Sequence, residues 1–151
     1  MSTRLTDQDI NNAQIMEVWV NGPEDANRLF ICAGAAQLLP PLVPPLNRAT
    51  PTGTTTFTFL IGPQMTRRQF VRAIASGAIS RCPLQSTYEI HIASMDADFD
   101  DESGQVEVRV EFTMSQPSGS PQYIIAVAYN VSVLAQFPAV AAESMVPTAT
   151  S

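Results

Sequence analysis

The chain has 151 residues, of which 45% are hydrophobic and 15% are charged, and its formal net charge is −6. This length predicts one domain that is large enough to bury a core. Because nucleic acids and membrane surfaces are anionic, the negative charge argues against both as partners. No stretch reaches the roughly 18 apolar residues of a membrane span, and the polar start differs from a signal peptide. We therefore expect cytoplasmic synthesis without secretion.

The surface is thinly charged. A typical soluble domain has about 25% charged residues, and here all eight basic residues are arginine, with no lysine. A surface with few ions is easier to bury against a partner, and arginine is favoured over lysine at interfaces. A GC-rich coding bias would also give arginine without lysine. The composition nevertheless suits an acidic, lysine-free assembly subunit.

The first forty residues leave one alternative open. Thr6 with Asp9 predicts the cap of a short helix that runs through Met16, and residues 15–20 then read as a strand. Residues 23–39 form either a helix that begins at Pro23 or the return strand of a hairpin. The alanines at 33, 35 and 36 favour the helix.

Two segments with clearer signals follow. The prolines of residues 39–46 require extended backbone, which packs on its own domain or a neighbour, or serves as a polyproline ligand. Residues 54–61 alternate as a strand, with Phe57, Phe59 and Ile61 on one face.

Residues 66–80 predict the main helix. Thr66 and Gln69 match a capping box, in which each side chain bonds a backbone amide of the first turn. An apolar stripe that includes Phe70 and Ile74 would pack on the sheet, with Arg67, Arg68 and Arg72 facing outward.

Three long strands then organise the chain, over residues 88–97, 105–115 and 122–134. The middle strand alternates strictly, and short polar joints predict an antiparallel meander. Its buried face is predicted to contain Val106, Val108, Val110, Phe112 and Met114. The predicted fold is therefore α+β: an antiparallel sheet of four to six strands, one main helix at about residues 66–80 and extended termini. Residues 1–136 would form the domain, and residues 137–151 an extended arm or a disordered tail.

The turn between the first two of these strands is the sharpest chemical signal. Five acidic residues match positions one, three, five, seven and twelve of a calcium loop, where alternate carboxylates converge on one ion. They are Asp96, Asp98, Asp100, Glu102 and Glu107. The match is partial, because Asp101 replaces the turn glycine and strands flank the loop. A solvated acidic hairpin tip is the alternative, and no metal or other cofactor is predicted outright.

A third interpretation makes the acidic tip a contact between subunits. In a head-to-tail arrangement, arginines of one copy would pair with carboxylates of the next. The interface candidates are Arg67, Arg68, Arg72, Asp98, Asp100, Asp101 and Glu102. His91, the only histidine, is predicted on the exposed face of a strand. Cys32 and Cys82 have no metal or redox spacing, and their pairing is left open.

No nucleophile–base set, glycine-rich phosphate loop or Cys/His metal spacing is present in the sequence, so we do not expect an enzyme. The leading interpretation is a structural subunit of a larger assembly, of the kind found in the head, neck or tail of virus and phage particles. Its partners would be other copies of itself or other subunits. The alternative is a small-molecule binder or enzyme with a cone-shaped α+β fold. Its apolar pocket would be lined by Tyr88, Phe112, Tyr123 and Tyr129.

Overall fold

A computed structural model describes residues 2–21, 26–38, 52–81, 89–115 and 125–137. These residues form eight strands and one short 3₁₀ turn, Asp7–Asp9. The strands are β1 (Ser2–Arg4), β2 (Ile10–Trp19), β3 (Asn27–Leu38), β4 (Thr52–Ile61), β5 (Phe70–Arg81), β6 (Glu89–Asp100), β7 (Gln105–Ser115) and β8 (Ile125–Gln136). The prediction of an α+β fold is therefore wrong, because the described chain is nearly all β.

The strands form two four-stranded sheets that pack face to face. Sheet A has the order β1-β4-β7-β6, and sheet B has the order β2-β3-β8-β5. Neighbouring strands are antiparallel, apart from the parallel pair β1 and β4. Buried side chains from both sheets join in one core.

The alternation predicted for β7 is confirmed. Its five inward side chains, from Val106 to Met114, are completely buried. The partner strand β4 contributes Phe57, Phe59 and Ile61, as its pattern predicted. The meander, however, stops after one hairpin, because β7 pairs with β6 while β8 lies in sheet B between β3 and β5. The third strand therefore faces the second across the core.

The predicted main helix at 66–80 is a turn followed by strand β5. The capping-box residues do interact: the Thr66 amide donates to Gln69 Oε1 at 2.8 Å, and the Gln69 amide donates to the Thr66 carbonyl at 2.9 Å. Instead of continuing as a helix, the chain pairs along the whole of β8. Burying small side chains on a sheet here outweighs the weak helical preference of alanine, and Gly77 would cost a helix about 1 kcal/mol.

Near the amino terminus, another predicted helix is also a strand. Residues 27–38 form strand β3, the return strand of a hairpin with β2, so the preferred helix at 23–39 is wrong. The capping box of Thr6 and Asp9 forms, but it closes only the single 3₁₀ turn. The proline segment at 39–46, Cys82, Tyr88, Tyr123 and residues 138–151 lie outside the described residues.

Tyr129 in β8 explains why β3 has glycine among its alanines. Its ring lies directly over Gly34: an added Cβ there would be 2.5 Å from the tyrosine hydroxyl oxygen. On the other side, the ring packs against Phe59 of sheet A, with 4.8 Å between centroids. Gly77 is the cross-strand partner of Tyr129 on β5. A large aromatic residue flanked by glycines on both neighbouring strands thus fills the centre of the core.

This contact gives a stability prediction. We expect Gly34→Ala to lower the free energy of unfolding by about 1–3 kcal/mol, the usual cost of overpacking, because the methyl group overlaps the Tyr129 ring. Chemical denaturation measures this change. Ala33→Ser, which adds one atom to the adjacent residue on the opposite face, is the matched control and should change stability by less than about 0.5 kcal/mol. Equal stability of Gly34→Ala and the wild type would contradict the packing described.

Candidate functional site

The acidic tip is the turn that joins β6 to β7. Residues 101–104 close it, the Gly104 amide donates to the Asp100 carbonyl at 2.9 Å, and Gly104 has a φ of +69° that favours glycine. A hydrogen bond from the Ser103 hydroxyl is the main cause that lowers the pKa of Asp100 below its ordinary value. Its stabilising effect is therefore present above the ordinary pKa and is lost as the pH falls through the lower folded value. The turn is therefore held by hydrogen bonds among its own residues.

Arg4 connects this tip to the amino terminus. Its guanidinium pairs with Asp100 at 3.3 Å and forms a shorter contact with Glu107. The hydrogen bond to Glu107 is the largest cause that raises the pKa of Arg4. Two of the five carboxylates in the predicted calcium set thus share one arginine of the same chain.

The calcium spacing does not produce a convergent site. Asp96, Asp98 and Asp100 alternate along the outer face of β6, so their carboxylates are spaced about 7 Å apart along a strand instead of around a loop. Within the described residues, which include all five predicted ligands, no group of three acidic, histidine or cysteine side chains could hold a metal ion. The alternative interpretation, a solvated acidic hairpin tip, describes this geometry better than a calcium loop does.

The three arginines predicted on one face of a helix do not form a cluster, because Arg67 and Arg68 precede strand β5 and Arg72 lies within it. Arg67 lies in the turn before β5, 3.8 Å from Asp98 of the same chain, with its guanidinium 5.7 Å from the ring centroids of both Phe70 and Phe99. Arg68 follows it in the turn, and Arg72 lies on the outer face of sheet B. The structure therefore brings one predicted pair together within a single chain. His91 is exposed on β6, as predicted.

An open cleft of about 200 Å³ lies between the two sheets, beside β2. It is smaller than the roughly 300 Å³ at which ligand pockets usually begin. Tyr129 borders it, whereas Phe112, another predicted pocket residue, is completely buried in the core. Cys32 also borders the cleft, but burial raises its thiol pKa to about 11 and keeps it protonated and unreactive.

The feature that the sequence analysis missed is the apolar surface of sheet B. All the large apolar side chains that the described residues expose lie on this sheet or directly beside it. They are Ile15, Met16, Val18, Trp19, Val20, Val71 and Ile74. Trp19, the only tryptophan, is 39% exposed. The signal in the sequence is residues 15–20, which are apolar at both even and odd positions and so do not have a hydrophilic face.

Trp19 is held at the surface by Arg28 of β3. The Arg28 guanidinium lies 3.8 Å from the centroid of the Trp19 ring and also donates to Glu17 at 2.5 Å. Phe137 approaches from the other side, with its centroid 5.9 Å from the guanidinium and 5.9 Å from the Phe30 ring. This stack orders the exposed hairpin of β2 and β3 and neutralises Glu17, the one acidic residue of sheet B.

Charge is distributed unequally between the sheets. The strands of sheet A contain six acidic residues and two arginines, a balance of −4. The strands of sheet B contain one acidic residue, Glu17, and three arginines, Arg28, Arg72 and Arg81, a balance of +2. The molecule therefore has one charged, polar sheet and one largely apolar sheet, and the apolar sheet is the candidate functional surface.

The Arg4 contacts give a second prediction. We expect Arg4→Gln to lower the free energy of unfolding by no more than about 1 kcal/mol at low salt, because the ion pairs are exposed. The difference should vanish at high salt, where exposed charges are screened. Thermal unfolding at two salt concentrations measures it, with Arg68→Gln as the control. A loss that persists unchanged at high salt would contradict an exposed ion pair.

Among the described residues, no helix is long and apolar enough to cross a membrane. Comparison of the chain with protein families, curated proteins and solved structures finds no match.

Proposed function

We propose that the chain is a structural subunit of a larger protein assembly and that sheet B is the surface through which it contacts its neighbours. The observation that carries this proposal is that the exposed large apolar side chains gather on sheet B, where Ile15, Met16 and Ile74 are each more than half exposed. Contiguous apolar patches on a protein surface mark interaction sites, because leaving them in water is unfavourable.

The rest of the sheet supports the same proposal. Apolar side chains occur in one row across the four strands, since Met16 pairs with Ile31, and Ser132 is the one polar residue between Ile31 and Ile74. In the neighbouring row, Val18 pairs with Leu29, and Leu29 pairs with Leu134. The charged residues that keep a protein monomeric and soluble lie mainly on the opposite sheet. Virus and phage particles are one class of assembly built from such small β-rich subunits, by analogy of architecture alone.

A small-molecule binder remains the less favoured proposal. The cleft beside Tyr129 is small, and the aromatic side chains expected to line a pocket are not gathered there within the described residues. The cone-shaped α+β fold that this alternative required is also contradicted by the two packed sheets.

Sedimentation velocity tests the leading proposal. We expect the wild-type chain to sediment with a mass above that of one chain, and the double variant Met16→Thr and Ile74→Thr to shift toward the monomer. Threonine is a β-branched residue that suits a strand, and it has less apolar surface than methionine or isoleucine. Thr54→Ser, on the outer face of sheet A, is the control and should sediment like the wild type. A wild-type chain that stays monomeric at every soluble concentration would contradict the proposal.

A further inference from the structure

The two sheets have four edges, and they differ greatly in exposure. On one side, β5 and β6 approach each other closely: a Cβ at Gly77 would be 2.8 Å from the Met95 sulfur, and the Phe70 and Phe99 rings are 5.5 Å apart. On the other side, β1 is only three residues long. Strand β2 has ten residues, all partly or fully exposed, and its outer edge has no strand partner within the described chain.

The backbone groups at this open edge can be identified. The Val20 amide donates to the Asn27 carbonyl, which makes residues 20 and 27 a hydrogen-bonded pair. Hydrogen-bonded and non-hydrogen-bonded pairs alternate along an antiparallel ladder. The backbone groups of Val18 and Met16 therefore point toward β3, whereas those of Ile15, Glu17 and Trp19 point outward. Among the described residues, these outward donors and acceptors have no strand partner. Such a row, flanked by apolar side chains, fits another β-strand.

The edge lacks the features that usually prevent such pairing. Protected edges have lysine, proline, inward-pointing charges or bulges. Here the only charge is Glu17, which Arg28 neutralises, and the described strand contains neither lysine nor proline. The single irregularity lies between Asn11 and Gln14, where Asn12 has a φ of +52°, so the ladder from Gln14 to Trp19 is regular.

We propose that this edge pairs with the same edge of a second copy, antiparallel and across a twofold axis, so that two B sheets become one eight-stranded sheet. This inference rests on the proposed function and names its first partner. A twofold contact must be complementary to itself. The edge meets this condition because its one carboxylate, Glu17, is already paired with Arg28 of its own chain.

The register follows from the side chains. A twofold axis perpendicular to the sheet pairs residues of the same face, so the numbers of opposed residues have an even sum. An axis at Glu17 would oppose two carboxylates, which is unfavourable. An axis at Met16 would use the irregular segment around Ala13. An axis at Val18 pairs Val18 with the partner's Val18, Met16 with the partner's Val20, and Glu17 with the partner's Trp19, all within the regular ladder.

Disulfide cross-linking tests this register. In this arrangement the two Val18 residues form a non-hydrogen-bonded pair, with Cα atoms about 4.5 Å apart, which lies within the range that a disulfide spans. In a Cys82→Ser background, where the remaining native cysteine is the buried Cys32, Val18→Cys should form a covalent dimer under mild oxidation. Thr54→Cys on the exposed face of sheet A is the matched control and should remain mostly uncross-linked.

Val18→Lys provides the complementary test, because it opposes two like charges at the axis. We expect it to abolish the dimer in sedimentation velocity while its thermal unfolding resembles that of Thr54→Lys, which carries the same added charge on the other sheet and should remain dimeric. If the wild type is oligomeric but Val18→Cys does not cross-link above the control and Val18→Lys keeps its size, the edge pairing is wrong and the proposed function stands. A monomeric wild type overturns both.

Discussion

The packing of Tyr129 between the sheets is the contact on which the rest of this structure depends. The ring requires glycine at position 34 and closes against Phe59 of the opposite sheet. Around it, the inward rows of β7 and β8 are almost completely buried. Because these two strands occupy central positions in different sheets, their burial fixes the face that each sheet turns inward and hence the faces that remain outside.

Once the inner faces are fixed, the outer faces have opposite characters. Sheet A has alternating charged and threonine side chains, and Arg4 and Arg67 neutralise part of its acidic surface within the chain. Sheet B has apolar side chains on both faces of its open strand β2. Asp100 at the acidic tip is already paired with Arg4 of its own chain, whereas the outward backbone groups of β2 have no strand partner among the described residues. We therefore place the proposed interaction surface on the sheet opposite to the one that the charges suggested.

Much of the core was predictable because alternation is a direct consequence of pleated geometry. The rows of β4 and β7 were identified correctly residue by residue. In β6, a bulge between Ile92 and Ser94 shifts the inward row to Met95, Ala97 and Phe99. Such a bulge depends on the partner strand, so the pattern before it could not indicate the change.

The helix predictions failed for a different physical reason. Residues 33–36 and 66–80 contain alanine, glycine and a real capping box, which are local signals of only a few tenths to about 1 kcal/mol each. Both segments flank β8, and pairing on each side of that strand buries its backbone groups and apolar faces. The exposure of residues 15–20 was likewise hidden, because a run that is apolar on both faces usually indicates a buried strand and not an open edge.

Amide hydrogen exchange, resolved by residue and measured over a range of protein concentrations, tests the pairing of the β2 edge. We expect the amides of Ile15, Glu17 and Trp19 to exchange quickly in dilute solution and to become protected as the concentration rises. The amides of Met16 and Val18, which bond to β3, should be protected throughout. If the chain associates while the amides of Ile15, Glu17 and Trp19 keep the same fast exchange, the open edge is not the contact and the claim is contradicted.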